Sequence, residues 1–292
     1  MSEKAEILLP EPARPEVTPE TSGDTSGLHD ASFQWPQRYP WSQLGPDFIS
    51  EWGRKEPEHL EIIGPSGSGK TYLLASALQA RMIMRHTAAV LVCTKPADGV
   101  IAKLGWPVVD TWEGVRKHAW VVYWPKTRAK GTARKEYHNR KIADLLNELW
   151  VPDANTIVAF DEVGYVESLS RELRDLVQMY WREGRSQGIT VCAMKQRPQG
   201  ALRDMHSETY WTAAFPPNDR SDLERFAELF GARRDWMPVF DSLDQDRREF
   251  IIRHSRSREA YISWIDVPLV PVKPPEDEKQ RGAAHKLLHR AR

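Results

Sequence analysis

The sequence predicts an α/β fold built on a mostly parallel β-sheet flanked by helices. Short apolar runs alternate along the chain with segments whose apolar residues recur at helical spacing. One apolar run, residues 60–63, leads directly into a glycine-rich loop, and a helical segment at residues 71–85 follows that loop. A strand, a glycine loop and a helix in this order form the nucleotide-binding unit of many parallel sheets.

The remaining elements continue the alternation. Continuous apolar runs predict strands at residues 88–94, 120–124, 156–160, 189–194 and 210–215. Helical spacing of apolar residues predicts helices at residues 138–150, 166–180 and 221–230, the second of these as one long helix. A hairpin is predicted at residues 249–254 and 259–265, around a Ser-Arg-Ser-Arg turn.

Composition divides the chain into four parts. Residues 1–30 hold seven acidic and two basic residues among prolines, and we expect this segment to be disordered. Residues 31–57 are dense in aromatic residues, and we expect them to wrap the domain edge as an irregular arm. Residues 58–266 form the predicted domain. Residues 267–292 are predicted to be a disordered, basic tail.

Bulk composition excludes several classes of protein. The chain holds 41 basic and 41 acidic residues, so its net charge gives no general case for nucleic-acid binding. No stretch approaches 18 consecutive apolar residues, and the first residues lack the order of a secretory signal. Cys93 and Cys192 lie within apolar runs and are predicted to be buried and free. We therefore expect a cytoplasmic protein without a membrane span.

The glycine-rich loop at residues 64–71 predicts a phosphate-binding loop. Its residues, all predicted to contact ATP, are Gly64, Pro65, Ser66, Gly67, Ser68, Gly69, Lys70 and Thr71. The glycines allow backbone N–H groups to converge on an anion, and the helix that follows adds its positive dipole end. Lys70 is predicted to reach the β- and γ-phosphates, and the Thr71 hydroxyl to ligate Mg²⁺.

Two further strand ends carry polar residues of the predicted site. Asp161 and Glu162 end the strand at residues 156–160. Asp161 is predicted to hold Mg²⁺ through water, and Glu162 to act as the general base for an attacking water. Gln196 follows the strand at residues 189–194, within Gln-Arg-Pro, and is predicted to contact the γ-phosphate and the lytic water. The adjacent acids Asp161 and Glu162 favour hydrolysis of the nucleotide over simple nucleotide binding.

Together these motifs resemble the FtsK/HerA superfamily of ring-forming motor ATPases, with a RecA-like fold. The resemblance runs from about residue 60 to residue 230 and is most specific at residues 157–198, which include Gly184-Arg185. The short chain is most similar to the compact genome-packaging ATPases of phages and viruses. The resemblance implies a homo-oligomeric ring, usually a hexamer, in which a neighbouring subunit supplies an arginine to the γ-phosphate. Arg185 fits that role best, followed by Arg182 and Arg197.

The cargo stays open at this stage. Residues 126–135 contain five basic residues and no acid, so they can grip DNA phosphates or form an ordinary solvated loop. The basic tail is a weaker candidate for binding nucleic acid or a capsid or other phage protein. The leading hypothesis is an ATP-driven motor for double-stranded DNA. The alternatives are a protein-exporting or phage-assembly ATPase and a nucleotide-gated switch with negligible turnover. A small-molecule kinase is disfavoured, because no arginine-rich lid is recognisable.

Overall fold

The computed structural model describes residues 33–54, 56–197 and 207–272. Our interpretations of residues 1–30, Pro198 and residues 273–292 lie outside the described residues. None of the helices within the described ranges is both long enough and apolar enough to cross a membrane.

Ten strands in the described ranges form one sheet. They are β1 (Gln37–Pro40), β2 (His59–Ile63), β3 (Ala88–Val92), β4 (Val108–Val109), β5 (Trp120–Tyr123), β6 (Thr156–Phe160), β7 (Ile189–Lys195), β8 (Thr209–Ala214), β9 (Phe250–His254) and β10 (Ala260–Trp264). Their order across the sheet is β1-β10-β9-β8-β2-β7-β6-β3-β5-β4. All neighbours are parallel except the pairs that involve the antiparallel β9. The prediction of a mostly parallel sheet is confirmed.

Helices connect the strands. They are α1 (Trp41–Arg54), α2 (Lys70–Arg85), α3 (Gly99–Lys103), α4 (Trp112–Val115), α5 (Gly131–Leu149), α6 (Val163–Glu167), α7 (Arg171–Glu183), α8 (Arg220–Phe230) and α9 (Arg233–Asp241). A 3₁₀ turn, Gly184–Gln187, leads from α7 into β7.

The central strands are buried on both faces, which explains their continuous apolar sequences. In β6, Ile157 and Ala159 belong to the apolar cluster that contains α1 and α2 residues, whereas Val158 and Phe160 belong to the cluster under α5 and α7. This alternation of successive side chains between the two faces is the period of an extended strand. Helices therefore cover β6 on both sides.

The position of β7 decides the geometry of the site. It lies between β2, which leads into the glycine loop, and β6, which ends at Asp161. The backbone N–H of Gly64 donates to the carbonyl oxygen of Lys195 at 3.1 Å, so the loop begins against the end of β7. Because these strands are parallel, their carboxyl ends meet at one edge of the sheet.

The expectation of an irregular arm at residues 31–57 was wrong. Residues 37–40 form β1, which pairs in parallel with β10, and residues 41–54 form α1. Trp41, Phe48 and Trp52 are buried, and their spacing places them on one face of that helix. The Asp266 carboxylate accepts from the N–H of Ser42 at 2.8 Å, so a distant residue caps the helix.

Two predicted helices also differ from those observed. The single long helix predicted at residues 166–180 is divided into α6 and α7, because Ser170 caps α7 with a hydroxyl that accepts from the N–H of Leu173. Helix α5 begins at Gly131, seven residues before its predicted start at residue 138, so half of the basic segment is helical.

Candidate functional site

The glycine loop between β2 and α2 has a backbone that only glycine suits. Gly64 and Gly67 have φ values of 154° and 82°. A side chain at Gly64 would place its Cβ 2.6 Å from the Cβ of Phe215. At Gly67 an added Cβ would meet nothing within 4 Å, so the loop stands open on that side. A ligand can therefore approach the backbone closely at Gly67.

Lys70, the first residue of α2, is buried beneath this loop. Its ammonium donates to the carbonyl oxygens of Gly64 at 2.6 Å and Pro65 at 2.7 Å. Burial lowers the pKa of Lys70 to about 8, and the nearby Glu162 carboxylate opposes this shift. The hydrogen bonds of the ammonium go to uncharged carbonyl oxygens, so a polyanionic ligand would supply a counter-charge in direct contact.

The loop also offers unused hydrogen-bonding capacity. The Ser68 hydroxyl oxygen is buried and has no hydrogen-bond partner among the described residues. Within the described ranges no side chain caps the start of α2, where Gly69 precedes the first helical residue. Buried polar atoms without partners are costly, and uncapped helix starts attract anions. These features fit a bound phosphate group.

Asp161, at the end of β6, is held in one orientation. Its Oδ1 accepts from the N–H and from the hydroxyl of Thr94, each at 3.0 Å. The thiol of Cys93 donates to Oδ2 at 3.4 Å, and the ammonium of Lys95 lies 4.0 Å from the same oxygen. Burial raises the pKa of Asp161, while Lys95 and Thr94 oppose the shift. Thr94 fixes Oδ1, and the Asp161 side chain is fully buried, so this carboxylate would hold a cation through water.

Glu162 and Gln196 meet across the ends of adjacent strands. Glu162 is half-buried, and its carboxylate hydrogen-bonds to the Gln196 side chain. Burial raises the pKa of Glu162, and the charge of Asp161 raises it further, against the effect of Gln196, Lys70 and Lys95. These five side chains therefore share one electrostatic environment at the carboxyl edge of the sheet.

The residues present fit a magnesium ion held mainly by phosphate and water. Thr71, the second residue of α2, offers a half-buried hydroxyl, and Asp161 offers a carboxylate oxygen. In the described part of the chain, no group of three or more His, Cys, Asp or Glu side chains could hold a metal by itself. Magnesium commonly uses one or two protein ligands and completes its shell with water and phosphate.

Sequence reasoning missed Lys95. It follows β3, and its ammonium lies 3.3 Å from the Asp98 carboxylate as well as 4.0 Å from Asp161. Lys95 could have been noticed as the residue that follows the strand predicted at residues 88–94. If that strand lies beside the strand that precedes Asp161, Lys95 and Asp161 must lie at the same edge of the sheet. That adjacency is read from the structure, where β3 pairs with β6.

Arg185 does not join this group within one chain. It lies in the 3₁₀ turn before β7, at the opposite edge of the sheet from Gln196. Its Nε donates to the carbonyl oxygen of Pro57 at 2.7 Å, and its Nη1 donates to the Tyr210 hydroxyl. The guanidinium carbon lies 4.3 Å from the centroid of the Tyr210 ring. Arg185 is thus held by its own chain, half-buried, at the amino edge.

The other two arginines considered for this role are exposed. Arg182 lies near the end of α7. Arg197 follows Gln196 at the carboxyl edge, and its Nε lies 3.9 Å from the Asp222 carboxylate.

Two further residues of the glycine loop were predicted to contact ATP. Ser66 is exposed at the tip of the loop, and Pro65 contributes the carbonyl oxygen that Lys70 contacts.

Comparison with known proteins identifies the fold. No protein-family model and no curated relative matches this sequence. The solved structure of B204, the DNA-packaging ATPase from Sulfolobus Turreted Icosahedral Virus, is similar at a TM-score of 0.55 and 16% identity, over 73% of this chain and 100% of that chain. The genome packaging NTPase B204 from Sulfolobus turreted icosahedral virus 2, in complex with ATP-gammaS, is similar at a TM-score of 0.54 and 14% identity. The likeness covers 72% of this chain and 98% of that chain. This likeness confirms the predicted P-loop NTPase fold.

Proposed function

We propose that this chain is an ATPase motor that translocates double-stranded DNA, acting as a ring of identical subunits. The observation that carries the proposal is the convergence of Lys70, Asp161, Glu162 and Gln196 on the ends of three adjacent parallel strands. An anion-binding loop, a carboxylate for a metal and a second carboxylate for a water are the parts that ATP hydrolysis requires.

The glycine loop binds the phosphates of ATP in this proposal. Lys70 exchanges the carbonyl oxygens of Gly64 and Pro65 for phosphate oxygens, and the Ser68 hydroxyl gains the partner that it lacks. Thr71 and, through water, Asp161 would hold Mg²⁺, which would neutralise charge on the phosphates. Asp161 is already oriented for this role by Thr94.

Glu162 accepts the proton of the attacking water. Its raised pKa makes it a stronger base than an exposed glutamate, which suits proton abstraction at neutral pH. Gln196 is hydrogen-bonded to Glu162 and holds the water between the carboxylate and the γ-phosphate. The Asp161–Glu162 pair therefore divides metal binding and base catalysis between two adjacent residues.

Arg185 acts on the nucleotide of a neighbouring subunit. Because Arg185 precedes β7 and Gln196 follows it, the length of a seven-residue strand separates Arg185 from its own site. An arginine at the opposite edge can therefore contribute charge only across an interface. A closed ring, with a hexamer as the expected form, would give every subunit such an interface with its neighbour.

The DNA-contacting surface in this proposal is the basic segment, defined as residues 126–135. Lys126, Arg128, Lys130 and Lys135 are exposed, and the segment begins just after β5 at the carboxyl edge of the sheet. Contacts to phosphates are independent of base sequence, which suits a motor that moves along any DNA. Capsid or other phage proteins are further proposed partners, and the proposed location is the host cytoplasm or the virion.

The test measures ATP hydrolysis by the full chain, with and without duplex DNA at low salt. We expect hydrolysis that duplex DNA stimulates several-fold. Replacing Arg128 and Lys130 together with Gln should reduce the stimulation, whereas replacing the exposed Lys117 and Arg171 should not. Absence of hydrolysis under all conditions would overturn the ATPase. Hydrolysis that duplex DNA leaves unchanged would point to a protein cargo.

A further inference from the structure

One basic residue of the basic segment differs from the other four in its burial. Arg134 is half-buried, whereas Lys126, Arg128, Lys130 and Lys135 are exposed. Its Nη2 donates to the carbonyl oxygen of Thr94 at 2.9 Å. Arg134 therefore belongs in sequence to the proposed DNA surface but is attached to the end of β3.

Thr94 connects Arg134 to the metal-binding carboxylate. Its carbonyl oxygen accepts from Arg134, while its N–H and hydroxyl both donate to Oδ1 of Asp161 at 3.0 Å. Thr94 is itself buried, so it has little freedom to move independently of its two partners. A displacement of Arg134 therefore changes the support on which the orientation of Asp161 depends.

A second contact joins Arg134 to the helix that follows Glu162. The Arg134 side chain hydrogen-bonds to Tyr165 on α6, and the Tyr165 hydroxyl lies 3.0 Å from Nδ1 of His138 on α5. Nε2 of His138 lies 3.1 Å from the carbonyl oxygen of Pro125. The first half of α5 thus contacts Thr94, which follows β3 and bonds to Asp161, and Tyr165, which lies on α6 three residues after Glu162.

We infer that Arg134 is a positioning residue that couples polyanion binding at the basic segment to magnesium-dependent nucleotide binding at Asp161. This inference rests on the proposed function. DNA phosphates that bind to the exposed basic side chains displace the first turn of α5. Arg134 transmits that displacement through Thr94 and Tyr165. Since coupling between two sites is reciprocal, magnesium nucleotide must change DNA affinity by the same factor.

The experiment measures both sides of this coupling in the full chain. The dissociation constant of duplex DNA is measured with and without a non-hydrolysable ATP analogue and Mg²⁺, and that of the analogue with and without DNA. We expect the wild type to show reciprocal changes of about 5- to 10-fold. In EDTA the DNA effect on the analogue should disappear, because the coupling acts through the metal-binding carboxylate.

Arg134→Lys is the informative variant. It keeps the positive charge of the segment but cannot bond to Thr94 and Tyr165 with a planar fork. We expect it to bind DNA and the analogue separately, with the coupling reduced to less than about 2-fold. Arg171→Lys makes the same substitution at an exposed position outside the basic segment and should keep the wild-type coupling.

The outcomes separate the inference from the proposed function. A wild type that binds no nucleotide overturns the proposed function, and the inference with it. Wild-type coupling that persists in Arg134→Lys overturns the inference alone. If Arg134→Lys does not fold, Tyr165→Phe deletes a single hydroxyl: a coupling reduced at least about 2-fold supports the inference, and unchanged coupling overturns it.

Discussion

The ammonium of Lys70 donates a hydrogen bond to the carbonyl oxygen of Gly64 at 2.6 Å, which joins the two ends of the glycine loop. The same group donates to Pro65 at 2.7 Å and is buried. The cation that the proposed mechanism assigns to ATP therefore also holds the loop in shape before ATP binds. This double use makes nucleotide binding sensitive to the protonation of Lys70.

The affinity for ATP should fall at alkaline pH. Burial lowers the pKa of Lys70 to about 8, so below pH 8 the ammonium is charged and binding needs no proton. Above pH 8, binding must be accompanied by proton uptake, and the dissociation constant should rise by up to about 10-fold per pH unit. Equilibrium binding of a fluorescent ATP analogue from pH 6.5 to 9.5 measures this effect. Lys70→Ala should bind weakly and show no such rise, and a flat profile in the wild type would contradict the assignment.

Glu162→Gln should abolish turnover but keep nucleotide binding. The amide keeps the size of the carboxylate and its contact with Gln196 but cannot accept a proton, so the rate of hydrolysis should fall about 100- to 10,000-fold. Single-turnover hydrolysis and equilibrium binding separate the two effects. Glu172→Gln, at an exposed position on α7, is the matched control. A variant with more than about a tenth of wild-type turnover would remove Glu162 from the role of base.

Mixing two inactive variants should restore activity if Arg185 acts across an interface. Arg185→Ala and Glu162→Gln are each expected to lose hydrolysis. In mixed rings, however, some interfaces pair an intact Glu162 on one subunit with an intact Arg185 on the next. We expect about a quarter of the interfaces to be complete in an equal mixture with random assembly. Arg171→Ala, at an exposed position on α7, is the control and should keep hydrolysis, and mixtures as inactive as the separate variants would argue against action in trans.

The stability of the fold should depend on the protonation of Glu167. This residue, on α6, is buried, and burial raises its pKa to about 7 against the effects of Lys195 and Arg174. A carboxyl with a raised pKa in the folded state stabilises fully below its unfolded pKa, near 4.5, and this contribution is lost as the pH rises through about 7.

Glu167→Gln should remove this pH dependence. Between pH 5 and pH 8, the wild type should lose about 2 kcal/mol of unfolding free energy relative to the variant. Urea denaturation at both pH values measures the difference. Glu148→Gln, at an exposed position on α5, should behave like the wild type. Parallel losses in the wild type and in Glu167→Gln would show that other groups govern the effect.

The site could be predicted from the sequence where its residues are local to one strand end. Lys70 and Thr71 follow a glycine loop, and Asp161 and Glu162 end a buried apolar run, so each pair is recognisable without knowledge of its neighbours. Parallel strands then bring these pairs to one edge. The roles of Lys95 and Arg134 depend instead on which strands are adjacent, and a single sequence does not contain that information in any one segment.

Elements stabilised by distant residues escaped prediction for the same reason. Helix α1 depends on a cap from Asp266, whose carboxylate lies 2.8 Å from the N–H of Ser42. Prolines in this stretch, including Pro46 within the helix, favour irregular structure when only local preferences are considered. The division between α6 and α7 was, by contrast, readable: Ser170 precedes Leu173 at the spacing of an N-cap.

The pairing of β1 with β10 constrains how the molecule assembles during synthesis. Gln37 lies opposite Tyr261 in the register, and Ser42 finds its partner 224 residues later in the chain. During synthesis β1 must therefore wait for β10, although Lys70, Asp161 and Gln196 have already emerged from the ribosome. Contacts this distant in sequence form slowly. A nascent chain thus contains every residue of the proposed nucleotide site before the outer edge of its sheet can close.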